Sequence, residues 1–126
     1  MITRDDIPHE PLESLKEFHD TFEVTNTLPL RGELIHEESL EVLEAIANYY
    51  RTPTPGNREA LVKELADLLY VVYGTGEFIR ADLEEAFRRV HESNMSKLDS
   101  NGKPIYRDDG KVLKGPNYQP PNMEGI

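Results

Sequence analysis

The 126 residues carry 24 acidic side chains against 14 basic ones, a net charge of −10, and no cysteine. A chain of this length supports one hydrophobic core. Its charge argues against nucleic acid as a partner, because phosphate backbones require basic surface, and the lack of cysteine removes disulfide and thiol chemistry. The opening Met1-Ile2-Thr3-Arg4-Asp5-Asp6 lacks the apolar core of a signal peptide, and no apolar run is long enough to span a bilayer, so a cytoplasmic protein without a membrane partner is expected. A small anionic substrate remains compatible with the charge if a metal ion reverses the local field.

Residues 1–10 read as an irregular arm. Pro11 opens a first predicted helix reaching about Val24, with Leu12, Leu15, Phe18, His19 and Phe22 on one stripe. Asn26 to Pro29 read as a break. A second helix is predicted from Gly32 to about Tyr50, with Leu34, Ile35, Leu40, Val42, Leu43, Ile46 and Ala47 covering much of its circumference. Thr52-Pro53-Thr54-Pro55-Gly56-Asn57 ends it. Asn57 is the expected N-cap of a third helix to about Arg80, in which Gly74 and Gly76 either weaken the helix or admit another backbone. Asp82 is the expected cap of a fourth helix to about Leu98.

The turn dipeptides Asn101-Gly102 and Asp109-Gly110 then predict a small hairpin, followed by an extended proline-rich tail. The expected architecture is all-α and of four-helix-bundle type. Residues 1–98 form its helical part, and 99–126 a hairpin and tail of the same domain. Helices apolar nearly all round leave uncovered surface in so short a chain, which predicts a homo-oligomer, most simply a two-fold dimer.

Within the second helix Glu37, Glu38 and Glu41 share a face, and within the third Glu64 and Asp67 do. Charges at helical spacing usually form a solvated face, and Glu44, Glu59, Glu77, Glu84 and Glu85 fit that description. Asp67 does not, because it stands among Leu65, Ala66, Leu68, Leu69, Tyr70, Val71 and Val72. Aspartate is rarely buried unless paired or metal-bound. If the two helices pack together, their carboxylates converge, and like charges that close require a cation.

A di-iron bundle needs two Glu-x-x-His pairs. Glu33 and His36 supply one, but Arg88 stands three residues before His91. An EF-hand loop is absent, and ligation by carboxylates alone points to Mg²⁺ or Mn²⁺. Mg²⁺ commonly completes its shell with substrate phosphates, which turns the metal site into a nucleotide hypothesis. Tyr70 and Tyr73 are open to two readings, base stacking or core.

At Glu37-Glu38-Ser39-Leu40-Glu41 and Glu64-Leu65-Ala66-Asp67, preceded by Arg31, the chain resembles the MazG-like, all-α nucleoside triphosphate pyrophosphohydrolases. Ser93-Asn94-Met95-Ser96-Lys97 resembles the Asn/Lys element of that family. Residues 109–118 resemble the C-terminal extension of a branch described as similar to phosphoribosyl-ATP pyrophosphohydrolase. The resemblance implies Mg²⁺-dependent hydrolysis of a nucleoside triphosphate to monophosphate and pyrophosphate, in helical dimers or dimers of dimers. Carried over by position, Glu38, Glu41, Glu64 and Asp67 are the metal ligands. On the same resemblance Glu37 would hold an extra ion or orient the attacking water, and Glu41 or Glu37 would accept its proton.

Asn94 and Lys97 would hold substrate phosphates or sugar. The competing reading of Lys97 is a cation near a helix C-terminus. Lys111 and Lys114 either close over the substrate or keep the hairpin soluble. Two alternatives stand beside this function: phosphoribosyl-ATP as the substrate, and a non-catalytic metal-binding helical dimer.

Overall fold

The computed structural model describes residues 10–126. The expected arm at 1–10 lies almost wholly outside that range. Four helices follow one another, α1 Pro11–Thr21, α2 Leu28–Arg51, α3 Pro55–Phe78 and α4 Leu83–Met95. No strand forms among the described residues, so the all-α expectation holds. The described residues up to Ala81 form one compact unit and Asp82–Ile126 a second.

Each boundary has a local cause. Both α2 and α3 start earlier than predicted, because an extended threonine followed by proline in the first turn is itself a helix start. Thr27 Oγ1 accepts from Leu30 N at 3.2 Å, with Pro29 in the first turn of α2. Thr54 Oγ1 accepts from Asn57 N at 3.1 Å, so Thr54 is the N-cap of α3 and Asn57 lies inside the helix. Asn57 instead closes the connection. Its Nδ2 donates to Thr52 O at 2.8 Å and Asn48 O at 3.4 Å.

Helices α1 and α3 end sooner than predicted, and both end the same way. Glu23 and Arg80 take left-handed φ values of 48° and 56°. The next amides reach back, Val24 N to His19 O at 3.0 Å and Ala81 N to Gly76 O at 2.9 Å. That is the Schellman termination, here without its usual glycine.

In the first unit α2 packs along α3, and α1 also packs on α3. Leu15 of α1, 2% exposed, joins Val42 and Ala45 of α2 as its buried apolar core. Phe18 meets Tyr70 edge-on at 5.6 Å, placing that tyrosine against α1. Large apolar side chains stay exposed along both long helices, Leu40, Leu43 and Tyr50 on α2 and Val62, Leu65 and Leu69 on α3. Their spacing makes one stripe on each helix.

In the second unit Asp82 caps α4 as expected, accepting from Glu85 N at 3.1 Å. The helix ends at Met95, not near Leu98. The predicted hairpin is present in reduced form, as a single antiparallel bridge between Tyr106 and Val112 around a turn at Asp109-Gly110. The tail then returns to α4. Ser93 Oγ donates to Gln119 O at 2.6 Å, and Arg89 Nη1 donates to Asn122 O and Glu124 O at 3.0 and 2.8 Å. Close approach at Gly115 is obligatory, since a Cβ there would lie 2.1 Å from Leu98 O.

Candidate metal centre

The α2–α3 pairing is antiparallel and keeps one register throughout. Arg31 lies against Gly74, Glu38 and Glu41 against Glu64 and Asp67, and Asn48 against Asn57. Arg31, Glu38 and Ala45 recur at seven-residue intervals on α2, as do Ala60, Asp67 and Gly74 on α3. A seven-residue interval returns to the same face of a helix, so these residues line one seam. Small residues, Ala45 and Ala60, occupy it below the carboxylates, and Gly74 occupies it above them.

In the middle of that seam four carboxylates converge. Glu38, Glu41, Glu64 and Asp67 each bring a ligand atom to within 4.8 Å of the others. Glu38, Glu64 and Asp67 are half-buried, and Glu41 is exposed. Glu38 Oε2 and Glu64 Oε2 are shielded from solvent and accept no hydrogen bond from any described residue. A shielded carboxylate oxygen without a donor is costly, and a cation is what relieves the cost. The donor set therefore fits a hard divalent ion: oxygen ligands only, converging, with free lone pairs at the two least exposed positions.

Lys63 flanks the cluster. Its ammonium lies 2.6 Å from Asp67 Oδ2 and 3.4 Å from Glu64 Oε1. The hydrogen bond and charge of Asp67, then those of Glu64, hold it protonated above its ordinary range. Next to the cluster, Glu41, Glu44, Ala45, Asn48, Asn57, Ala60 and Glu64 line a cavity of about 320 Å³. Glu37 is exposed and stands outside the four converging groups.

Two turns up the seam is a buried cation. Arg31 is 4% exposed. Nε donates to Thr75 Oγ1 at 3.1 Å, Nη1 to Asn26 Oδ1 at 3.2 Å, and Nη2 to Val71 O at 2.8 Å. No described carboxylate pairs with it, and burial pulls its pKa below the ordinary guanidinium range. The neighbour that comes close at Gly74 is a side chain, not the backbone expected from the sequence. A Cβ at Gly74 would stand 2.3 Å from Arg31 Nη2.

The residues assigned to substrate all lie in the second unit. Asn94 and Lys97 line a cavity of about 410 Å³ with Met95, Leu98 and Val112, its walls mostly apolar. The Lys114 ammonium sits 4.7 Å over the Tyr118 ring, and Lys111 is exposed on the hairpin. The sequence reading names the four converging carboxylates and sets Arg31 before the first motif, but it gives no part to Lys63 or Asn48 and does not join Arg31 to Thr75 and Asn26. The seven-residue interval linking Arg31 to Glu38, and Gly74 to Asp67, was the available signal for the last of these.

Residues 5–94 match the family model described as phosphoribosyl-ATP pyrophosphohydrolase. That stretch contains all four converging carboxylates, and it ends at Asn94, before Lys97. A search of the curated proteins finds no match. Among solved structures, a crystal structure at 1.78 Å resolution from Exiguobacterium sp. 255-15, of a protein described provisionally as an NTP pyrophosphohydrolase, is 23% identical. It covers 91% of this chain and 90% of its own, at a TM-score of 0.46.

Proposed function

The chain belongs to the phosphoribosyl-ATP pyrophosphohydrolase family, and from that premise we propose that it hydrolyses a nucleoside triphosphate to the monophosphate and pyrophosphate with Mg²⁺ as its cofactor, Mn²⁺ being able to substitute. The observation that carries this reading is the convergence of Glu38, Glu41, Glu64 and Asp67 with two shielded, unpartnered oxygens. Mg²⁺ bound there supplies charge neutralisation for the phosphates and acidifies water.

The chain's own groups do the rest. Glu38, Glu64 and Asp67, the less exposed three, hold the ion. Glu41 is exposed and lines the adjoining cavity, so it is the group that takes the proton as a water oxygen bonds to phosphorus and the bridging P–O bond breaks. Glu37, one position earlier than Glu38 and open to solvent, is proposed to orient that water. By the family resemblance Asn94 and Lys97 are proposed to bind phosphate or sugar. The apolar stripes left open on α2 and α3 are proposed to be covered by a second copy in a dimer or tetramer, which sedimentation tests directly.

A second reading, phosphoribosyl-ATP as the substrate, is favoured by the description of the matching family. One experiment separates the readings: pyrophosphate release with Mg²⁺ across ribo- and deoxynucleoside triphosphates and phosphoribosyl-ATP, with Glu38→Gln as control. Release that disappears in the variant supports hydrolysis and ranks the substrates. Metal binding without release from any of them leaves a non-catalytic metal-binding module.

A further inference from the structure

Among the described residues, Lys63 is the cation that pairs with the carboxylate cluster. Its side chain is 67% exposed, so packing does not fix it there. A helical alternative was at hand. Glu59 lies four residues earlier on α3, and glutamate N-terminal to lysine is the more favourable order for an i,i+4 pair. The ammonium nevertheless turns the other way, to Asp67 and Glu64, where negative charge is densest. These two carboxylates are also half of the candidate metal-ligand set, so a divalent ion and the ammonium draw on the same charge. Two cations within a few ångströms of each other repel.

We propose that Lys63 is a displaceable counter-ion of the metal centre, released from Asp67 and Glu64 when a divalent ion takes them and then bound to a phosphate oxygen of the substrate. The second half rests on the pyrophosphohydrolase reading; the first does not. The chemistry suits lysine: its ammonium is a compact point charge on a flexible stem, with three donors that re-aim freely, and phosphate is a ligand it binds well. A polyphosphate at the centre replaces the carboxylate partners that Lys63 gives up. The residue would thereby lower metal affinity in the absence of substrate and raise polyphosphate affinity in the presence of metal.

Lys63→Met, which keeps the length of the stem and removes the charge, separates these opposite effects. Mn²⁺ binding with no substrate present, read by electron paramagnetic resonance, should tighten about three- to tenfold, the scale of one nearby charge in a solvated setting. Binding of inorganic pyrophosphate at saturating Mg²⁺, read by calorimetry, should weaken about tenfold, as expected for one lost charged contact. Lys63→Arg should restore both values toward those of the parent. Lys16→Met, an equal charge change on α1, should alter neither.

Unchanged or weaker Mn²⁺ binding in Lys63→Met would overturn the proposal. So would pyrophosphate binding that is unchanged, or absent from parent and variant alike. Neither measurement depends on turnover, so a protein that hydrolysed no nucleotide would fail the pyrophosphate-release assay and still report on Lys63.

Discussion

Gly74→Ala tests whether Arg31 locks the helix pair that carries the metal centre. The added methyl would stand 2.3 Å from Arg31 Nη2, 3.1 Å from Cζ and 3.3 Å from Leu15 Cδ1. The first distance is impossible, so the guanidinium must move, and with it the 2.8 Å bond to Val71 O. Loss of a charged hydrogen bond costs about 1.5–3 kcal/mol. Alanine in place of glycine inside a helix returns about 1 kcal/mol.

The net expectation is a loss of about 0.5–2 kcal/mol, or roughly 2–8 °C in Tm for a chain of this size. Gly32→Ala is the matched control, on the partner helix and with nothing within 4 Å of its added Cβ. It should stabilise by up to about 1 kcal/mol through helix propensity alone. Urea denaturation followed by circular dichroism reads both. If Gly74→Ala stabilised the protein as Gly32→Ala does, Arg31 would be free to swing aside and the lock would not exist.

The metal centre makes its own stability prediction. In chelator, Glu38→Gln should be at least as stable as the parent, since it removes one of four mutually repelling carboxylates. With metal at a hundredfold excess over Kd the parent should gain about 2.7 kcal/mol, and a variant binding tenfold more weakly about 1.4 kcal/mol, both visible as Tm shifts. Equal shifts would remove Glu38 from the ligand set. At Glu85, hydrogen bonds from Arg88 and then Arg89 lower the carboxyl pKa from 4.5 to about 2. Its stabilising contribution is therefore complete above the unfolded value and fades as pH falls from about 4.5 toward 2. Acid titration of Glu85→Gln should show a shallower stability loss over that window than the parent, and identical slopes would refute the assignment. Ser93→Ala removes the 2.6 Å donor to Gln119 O from a buried position. It should cost about 1–2 kcal/mol and speed proteolysis within residues 116–126, whereas unchanged cleavage would show the tail held by other contacts.

Much of this fold follows from local rules. The cap at Asp82, the break at Thr52–Pro55 and the turn at Asp109-Gly110 were all legible, because caps, prolines and Asx-Gly dipeptides act on their immediate neighbours. The overrun of α1 and α3 shows where local signals stop. Both helices end on a left-handed residue that is not glycine, Glu23 and Arg80, and no composition signal marks that. The cap of α3 was misplaced by three residues because Thr54 and Asn57 are both good capping types. Pro55 at the first helical position decides between them.

What the sequence by itself determined is the acidic face of each long helix, since the positions of Glu38, Glu41, Glu64 and Asp67 on their helices follow from periodicity alone. Only the tertiary structure decided that the two faces meet within 4.8 Å, that Glu41 is the open member of the set, and that Lys63 turns toward Asp67. The physical reason is the register of the antiparallel pair. A helix fixes which side chains share a face, but how far two helices slide along each other is set by contacts remote in sequence. Here those contacts include Arg31 seated against Gly74 and Asn57 tied to Asn48, one at each end of the seam.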